Sequence, residues 1–291
     1  MTQGASARLR GAIGHQVRRL SRRRSQLAVP NPAPRYGYGH PAHPELYRLI
    51  DGRREEYRRL LEGFARHREQ ALAVPLWAPL DPSDPTWSNG WFQGLDALAL
   101  YCFLADKRPR RYVEVGSGNS TKFARRAIAD HSLETTVTSI DPEPRADIDL
   151  LCDHVVRSHL QDVDLAVFGD VEAGDIVFVD ASHQCLQNSD VTVFFLDVLP
   201  RLPSGVLVHL HDIFLPWDYP PQMADRLYSE QYLLATWLLA QASTPEIVLP
   251  CFFVSIEPDL HHLVDWLWDT FVWSGAASNG LSFWFRTGGA P

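Results

Sequence analysis

Lysine is almost absent from this chain: Lys107 and Lys122 are the only two among 291 residues, and arginine carries the rest of the positive charge. That skew points to a compositional bias of the genome, not to a function. Cysteine is also scarce. Cys102, Cys152, Cys185 and Cys251 lie far apart and form no CxxC pair. This spacing argues against both a zinc site and a disulfide framework, and it fits a reducing, cytoplasmic setting. No apolar run is long enough to span a bilayer, and no apolar stretch follows the first arginines to make a secretory signal. Acid is missing from residues 1–44, which hold eight arginines, yet the whole chain has a net charge of −8. General nucleic-acid binding by the whole chain is therefore not expected.

The acid-free start allows a basic amphipathic helix over Ala5–Arg24, with Arg22-Arg23-Arg24 able to touch an anionic partner. It also resembles an organelle transit peptide. The plain alternative is a solvated helix that packs on a neighbour, or on a second copy as a homo-oligomer contact. A Pro- and Gly-rich connector follows over 28–43. Pro44–Ala73 then carries Leu46, Leu49, Ile50, Tyr57, Leu60, Leu61 and Phe64 on one helical stripe. Residues 1–90 thus read as a basic helical extension with its connector, and 91–291 as the main domain.

In that domain apolar runs alternate with helical patterns. Strands are expected at 111–116, 136–141, 154–157, 175–180 and 206–211, then at Glu246–Val254 and Leu281–Arg286. Helices are expected from about Gly94, over 186–199 and over 224–242. Such alternation implies a parallel sheet with crossover helices, an α/β fold. The first run ends in Glu114-Val-Gly116-Ser117-Gly118 and passes into a helix, the order by which open α/β sheets hold a nucleotide-like ligand. A third glycine is missing, and an acid precedes the first. A carboxylate there repels a pyrophosphate but suits an ammonium group, which favours S-adenosylmethionine (SAM) over a dinucleotide.

Glu114-x-Gly116-x-Gly118, with Thr138-Ser-Ile-Asp141 closing the second run, resembles the first two motifs of class I SAM-dependent methyltransferases. The resemblance spans roughly residues 90–215. It implies a doubly wound, Rossmann-like, seven-stranded and mostly parallel sheet whose last strands form a reversed hairpin. It also implies a cofactor site of Glu114, Gly116, Ser117, Gly118 and Asp141, in which Asp141 takes both ribose hydroxyls. A carboxylate can accept both hydrogen bonds of a diol.

Two further runs end alike, in Asp180-Ala-Ser-His183 and in His211-Asp212. Both carboxyl ends should open on the crevice of a doubly wound sheet. Oxygen and imidazole donors without a thiolate suit Mg²⁺ or Mn²⁺. The arrangement is similar to metal-dependent O-methyltransferases acting on catechols and macrolide sugars. That likeness implies Asp180, His211 and Asp212 as metal ligands and His183 as the general base, with a small hydroxylated molecule as acceptor. An acid is usual where His211 stands, which leaves a metal-free alternative open, with His183 or His211 as base and oxygen or nitrogen as target. Trp87, Trp91 and Phe92 are expected to form a lid, and Phe214, Trp217 and Tyr219 a wall for the acceptor.

Overall fold

The computed structural model describes residues 33–79, 81–144, 146–240, 245–271 and 278–288. The basic stretch Ala5–Arg24 lies outside them. Arg35–Pro291 cluster as one compact unit. Among the described residues, no helix is long and apolar enough to cross a membrane.

Seven strands form one sheet: β1 (Arg111–Val115), β2 (Thr136–Ile140), β3 (His154–Val156), β4 (Ile176–Val179), β5 (Leu207–Leu210), β6 (Glu246–Pro250) and β7 (Phe283–Arg286). Their order is β3-β2-β1-β4-β5-β7-β6. The first five pair in parallel, and β7 runs antiparallel between β5 and β6. This is the doubly wound sheet with a reversed final hairpin that the motifs imply. Ile176-Val-Phe-Val179 is buried at every position because helices cover both faces of a central parallel strand. The outermost strand β3 is short and partly exposed, as an edge strand tends to be.

The helix Gly94–Lys107 buries all residues from Gly94 to Ala105. The stretch Gly94–Ala105 is apolar nearly all round and must be covered on every side, and its one acid, Asp96, is buried with the rest. In the core, Phe178 of β4 stacks on His209 of β5 at 3.7 Å between ring centroids, and Trp284 of β7 meets His209 at 4.7 Å. Burial and the nearby charge of His211 push His209 well below the usual imidazole range, so it packs as a neutral ring.

Three segments differ from expectation. Pro44–Ala73 is broken into Pro44–Asp51, Arg54–Phe64 and Arg68–Ala73, the first break falling at Gly52-Arg53. Leu46, Ile50, Tyr57, Leu61 and Phe64 nevertheless join the same core as the sheet. Arg54 pairs with Asp51 of the first helix and with Glu257 and Asp259 of the later chain at 2.6–2.7 Å, tying the three together. The expected strand Glu246–Val254 stops at Pro250, and Cys251–Ile256 is helical. The segment 186–199 contains only one α-helical turn, Asp190–Val193, continued by wider and tighter turns through Arg201.

Gly116 sets the distance between the first and fourth strand ends. Its φ is +82°, and a Cβ there would lie 1.8 Å from the Asp180 carbonyl oxygen. Gly116→Ala should therefore lose about 2–4 kcal/mol in urea unfolding, from left-handed backbone strain plus overpacking. A variant as stable as the parent would mean that the two strand ends are free to move apart.

Candidate active site

Two cavities open side by side at the carboxyl ends of the parallel strands. The first, about 290 Å³, is lined by Gly116, Ser117, Gly118, Asp141, Ser158, His159, Leu160 and Asp190 among others. The second, about 410 Å³, is lined by Asp96, Asp180, His183, His211, Asp212, Arg226, Tyr228 and Leu281 among others. Trp91 and Asp180 line both.

In the first cavity the loop after β1 and the end of β2 are tied together. The backbone N–H of Ser117 donates to Asp141 Oδ2 at 2.7 Å, and that of Glu143 to Oδ1 at 2.8 Å. Each carboxylate oxygen keeps a lone pair for a diol. Ser117 and Ser139 hydroxyls lie 2.7 Å apart beneath the turn. Nothing lies within 4 Å of a Cβ built on Gly118, so this glycine leaves open room at the cavity wall. These features fit SAM.

Glu114 does not reach that wall. Its side chain is fully buried and accepts hydrogen bonds from the hydroxyls of Tyr112 (2.9 Å) and Thr121. Thr121 in turn accepts from the Gly118 N–H at 3.0 Å. Glu114 thus braces the glycine turn from below instead of meeting an ammonium group. Burial raises its pKa to about 7 in spite of hydrogen bonds from Ser120, Thr121 and Tyr112.

The second cavity gathers all four residues expected there and Asp96, with Glu230 buried behind His183, and the motifs pointed to neither acid. Glu230 Oε2 lies 2.8 Å from His183 Nδ1, while His183 Nε2 faces Asp180 Oδ1 at 3.2 Å and Asp212 Oδ2 at 3.7 Å. His211 Nε2 lies 3.3 Å from Asp96 Oδ2, and its Nδ1 is 3.5 Å from Asp180 Oδ1 and 3.8 Å from Asp212 Oδ1. Burial alone would lower both imidazoles, but the hydrogen bonds and charges of these carboxylates outweigh it and lift both well above the usual range. Burial would likewise raise Asp180, yet His211 and His183 hold it well below the ordinary carboxylate value.

Such pairing does not fit a divalent cation. Carboxylates at both nitrogens favour the doubly protonated ring, which has no lone pair for a metal. Among the described residues, no three His, Cys, Asp or Glu side chains are set to hold a metal ion. Asp180, His211 and Asp212 do come together, as expected of a ligand set, but they form an alternating network of acid and imidazolium.

His183 (φ +58°) and Asp212 (φ +53°) both adopt the left-handed backbone region. Histidine and aspartate tolerate it better than most residues, yet two such positions in one cluster mark strain of about 1 kcal/mol or more each. The surroundings hold them. The His183 carbonyl accepts from the N–H groups of Ser229 and Glu230, and the Ile213 N–H donates to the Leu281 carbonyl.

Asp96 and Glu230 stand in the first turns of the helices Gly94–Lys107 and Glu230–Ala240, and no motif marked either. Asp96 also accepts from the N–H groups of Leu281 and Ser282 at 2.7–2.8 Å, fixing the start of β7 beside the cluster. The aromatic residues sort differently from expectation. Trp87 is 1% exposed and packs on Phe123 and Trp268, so it belongs to the core and not to a lid. Trp91 is 61% exposed and stands where the cavities meet. Phe214 and Trp217 pack on Phe252, with Tyr219 against Phe214, so the wall falls to Tyr228 instead.

Residues 113–213 match the family model described as a methyltransferase domain. No curated protein matches the chain. Among solved structures, the chain is similar to the O-methyltransferase TomG from Streptomyces achromogenes, involved in tomaymycin synthesis and crystallised with SAM. The identity is 16%, over 66% of this chain and 78% of that one, with a TM-score of 0.39. It is also similar to the SAH-bound methyltransferase PaMTH1 of Podospora anserina, at 13% identity over 75% and 96% of the two chains and a TM-score of 0.39. The O-methyltransferase of Bacillus cereus in complex with SAH gives 14%, 78%, 90% and 0.35. The stretch that carries the glycine turn, Asp141, Asp180 and the His211-Asp212 pair thus matches a methyltransferase domain, over about a third of the chain.

Proposed function

We propose that the protein methylates a hydroxyl group of a small acceptor, with the acid–imidazole cluster handling the proton and no divalent ion between Asp180, His211 and Asp212. One observation carries the reading: the cavity under the glycine turn and the cavity of the cluster share Asp180 and Trp91. A donor in the first and an acceptor in the second meet at that shared wall. Gly116, Ser117, Gly118 and Asp141 hold SAM, which when bound supplies the electrophilic methyl group.

A hydroxyl is a poor nucleophile until its proton leaves, and a side chain must receive that proton. His183 takes this role, with Glu230 holding Nδ1 and Nε2 turned to the carboxylates of the second cavity. In its neutral form an imidazole of raised pKa is a stronger base for a weakly acidic hydroxyl. The cost is a smaller neutral fraction at pH 7. His211, locked between Asp96 and Asp180, keeps positive charge beside the carboxylates so that they do not repel one another.

Three outcomes follow. Asp141→Ala should weaken SAM and S-adenosylhomocysteine binding in calorimetry by on the order of 1.5–3 kcal/mol, the worth of bonds to a charged group. Glu114→Gln should change affinity far less, because its carboxylate lies outside the cavity. Equal losses in the two variants would contradict the assigned roles.

Turnover, followed as S-adenosylhomocysteine release, should survive exhaustive chelation with EDTA. Activity that disappears in EDTA and returns with Mg²⁺ or Mn²⁺ would overturn the metal-free reading and restore Asp180, His211 and Asp212 as ligands.

The rate should rise with pH, because the base acts only when deprotonated, and the controlling ionisation should lie above neutrality since His183 is raised. His183→Gln should lower kcat roughly 10²–10⁴-fold without loss of cofactor affinity. Glu230→Gln removes one of the interactions that raise His183, so it should move the pH limb toward neutrality. A parent limb at or below pH 6.5, or a His183→Gln enzyme with the parent rate, would exclude His183 as the base.

A further inference from the structure

Arg226 stands apart from the other cations of this molecule. Among the described residues, only Arg35, Arg68, Arg108 and Arg226 of the arginines have no carboxylate within 4 Å of the side chain, and of these only Arg226 lines either cavity of the site. It is the last residue of the turn Pro221–Arg226, and its side chain is exposed. Its guanidinium lies over the Tyr228 ring at 5.5 Å and reaches the Tyr228 hydroxyl at 3.2 Å. The Tyr228 ring in turn lies 4.6 Å from the His183 ring. A fixed cation, a flat ring and the proposed base therefore stand in series along one wall of the second cavity.

The segment is tied to the loop that follows His183. Gln184 Nε2 donates to the Arg226 carbonyl at 2.9 Å, and the Cys185 N–H donates to Ser229 Oγ at 2.8 Å. An unpaired arginine on such a frame presents its donors to whatever enters the cavity. The guanidinium fork matches a carboxylate in shape and charge. A phosphate would bring a second negative charge toward Asp96, Asp180 and Asp212, which line the same cavity, so a monoanion is the better match.

We infer that the acceptor is a hydroxylated carboxylic acid: its carboxylate is held by Arg226, its body lies along Tyr228 and Trp91, and its hydroxyl faces His183. This assignment rests on the methyl-transfer reading above and adds the substrate class to it. Arg226 is a specificity determinant, because it touches the acceptor away from the reacting oxygen.

The test uses the full chain saturated with S-adenosylhomocysteine, titrated calorimetrically with hydroxybenzoate, dihydroxybenzoate and hydroxycyclohexane carboxylate, each beside its matched carboxamide. At least one acid should bind roughly tenfold or more tighter than its amide, the worth of a charge-assisted bond. Arg226→Gln should abolish that preference and Arg226→Lys should retain part of it, while S-adenosylhomocysteine affinity stays at the parent value in both. Acids that bind no better than their amides, or do not bind at all, would overturn the assignment. So would a preference that survives in Arg226→Gln. Failure of S-adenosylhomocysteine itself to bind the parent would instead sink the methyl-transfer reading, and the two failures are read in separate titrations.

Discussion

The contact between Gly116 and the Asp180 carbonyl is the constraint on which the rest of the site depends. The first and fourth strands are neighbours, and the turns that leave them must pass each other at their carboxyl ends. Because residue 116 has no side chain, the glycine turn can lie against the Asp180 backbone, where a Cβ would sit 1.8 Å from that oxygen. The Asp180 N–H is meanwhile bonded to the Val115 carbonyl, and the Gly116 N–H to the Ile140 carbonyl. Three strand ends are thereby locked within one hydrogen-bond length of one another. The Asp180 side chain then stands between the two cavities, and donor and acceptor chemistry can share one wall. A wider turn would separate the cavities and leave Asp180 to only one of them.

Around Asp180 each of the two imidazoles has acids at both of its ring nitrogens. Asp180 and Glu230 flank His183, while Asp96 and Asp180 flank His211. Burying any one of these carboxylates alone would be costly, and the imidazoliums offset that cost. The same arrangement uses both nitrogens of each ring, and so the donor set does not suit a cation. The network also couples catalysis to folding. Asp96 fixes the start of β7 through two backbone N–H groups, and Glu230 begins the helix Glu230–Ala240. The antiparallel edge of the sheet thus reaches the active cluster through buried carboxylates.

Much of this was legible in the residues, and the limits of that reading have physical reasons. The five parallel strands fall within a residue or two of their expected bounds, because each is a short apolar run, and all but β3 are ended by an acid, a histidine or a glycine. Gly116, Asp141, Asp180, His183, His211 and Asp212 were readable for the same reason: strand ends in a doubly wound sheet must converge. Partners that come from other elements were not readable. Asp96 lies 115 positions from His211, and Glu230 lies 47 positions from His183. Without them the histidines read as free donors beside the acids, a pattern that suits a metal-ligand set as well as a proton-transfer cluster.

Side-chain direction was the other gap. Glu114 has a sequence position that suits an ammonium partner, but its side chain drops under the turn to Tyr112 and Thr121. Trp87 and Trp91 are four residues apart in an irregular loop, and no periodicity tells which one faces inward. Trp87 donates its indole N–H to the Ala71 carbonyl and is sealed in the core. Trp91 remains at the mouth shared by both cavities. Likewise, Cys251-Phe-Phe-Val254 has the composition of a buried strand, yet it follows Pro250 into a helix whose Phe253 packs against Tyr47 and Tyr57. In each case the backbone pattern allowed two outcomes, and a distant neighbour decided between them. Arg226 makes the same point from the opposite direction. Among the described residues most arginines meet a carboxylate within the fold, whereas Arg226 is held at a cavity wall by the Tyr228 ring and its own carbonyl, which leaves its charge to an anion entering that cavity.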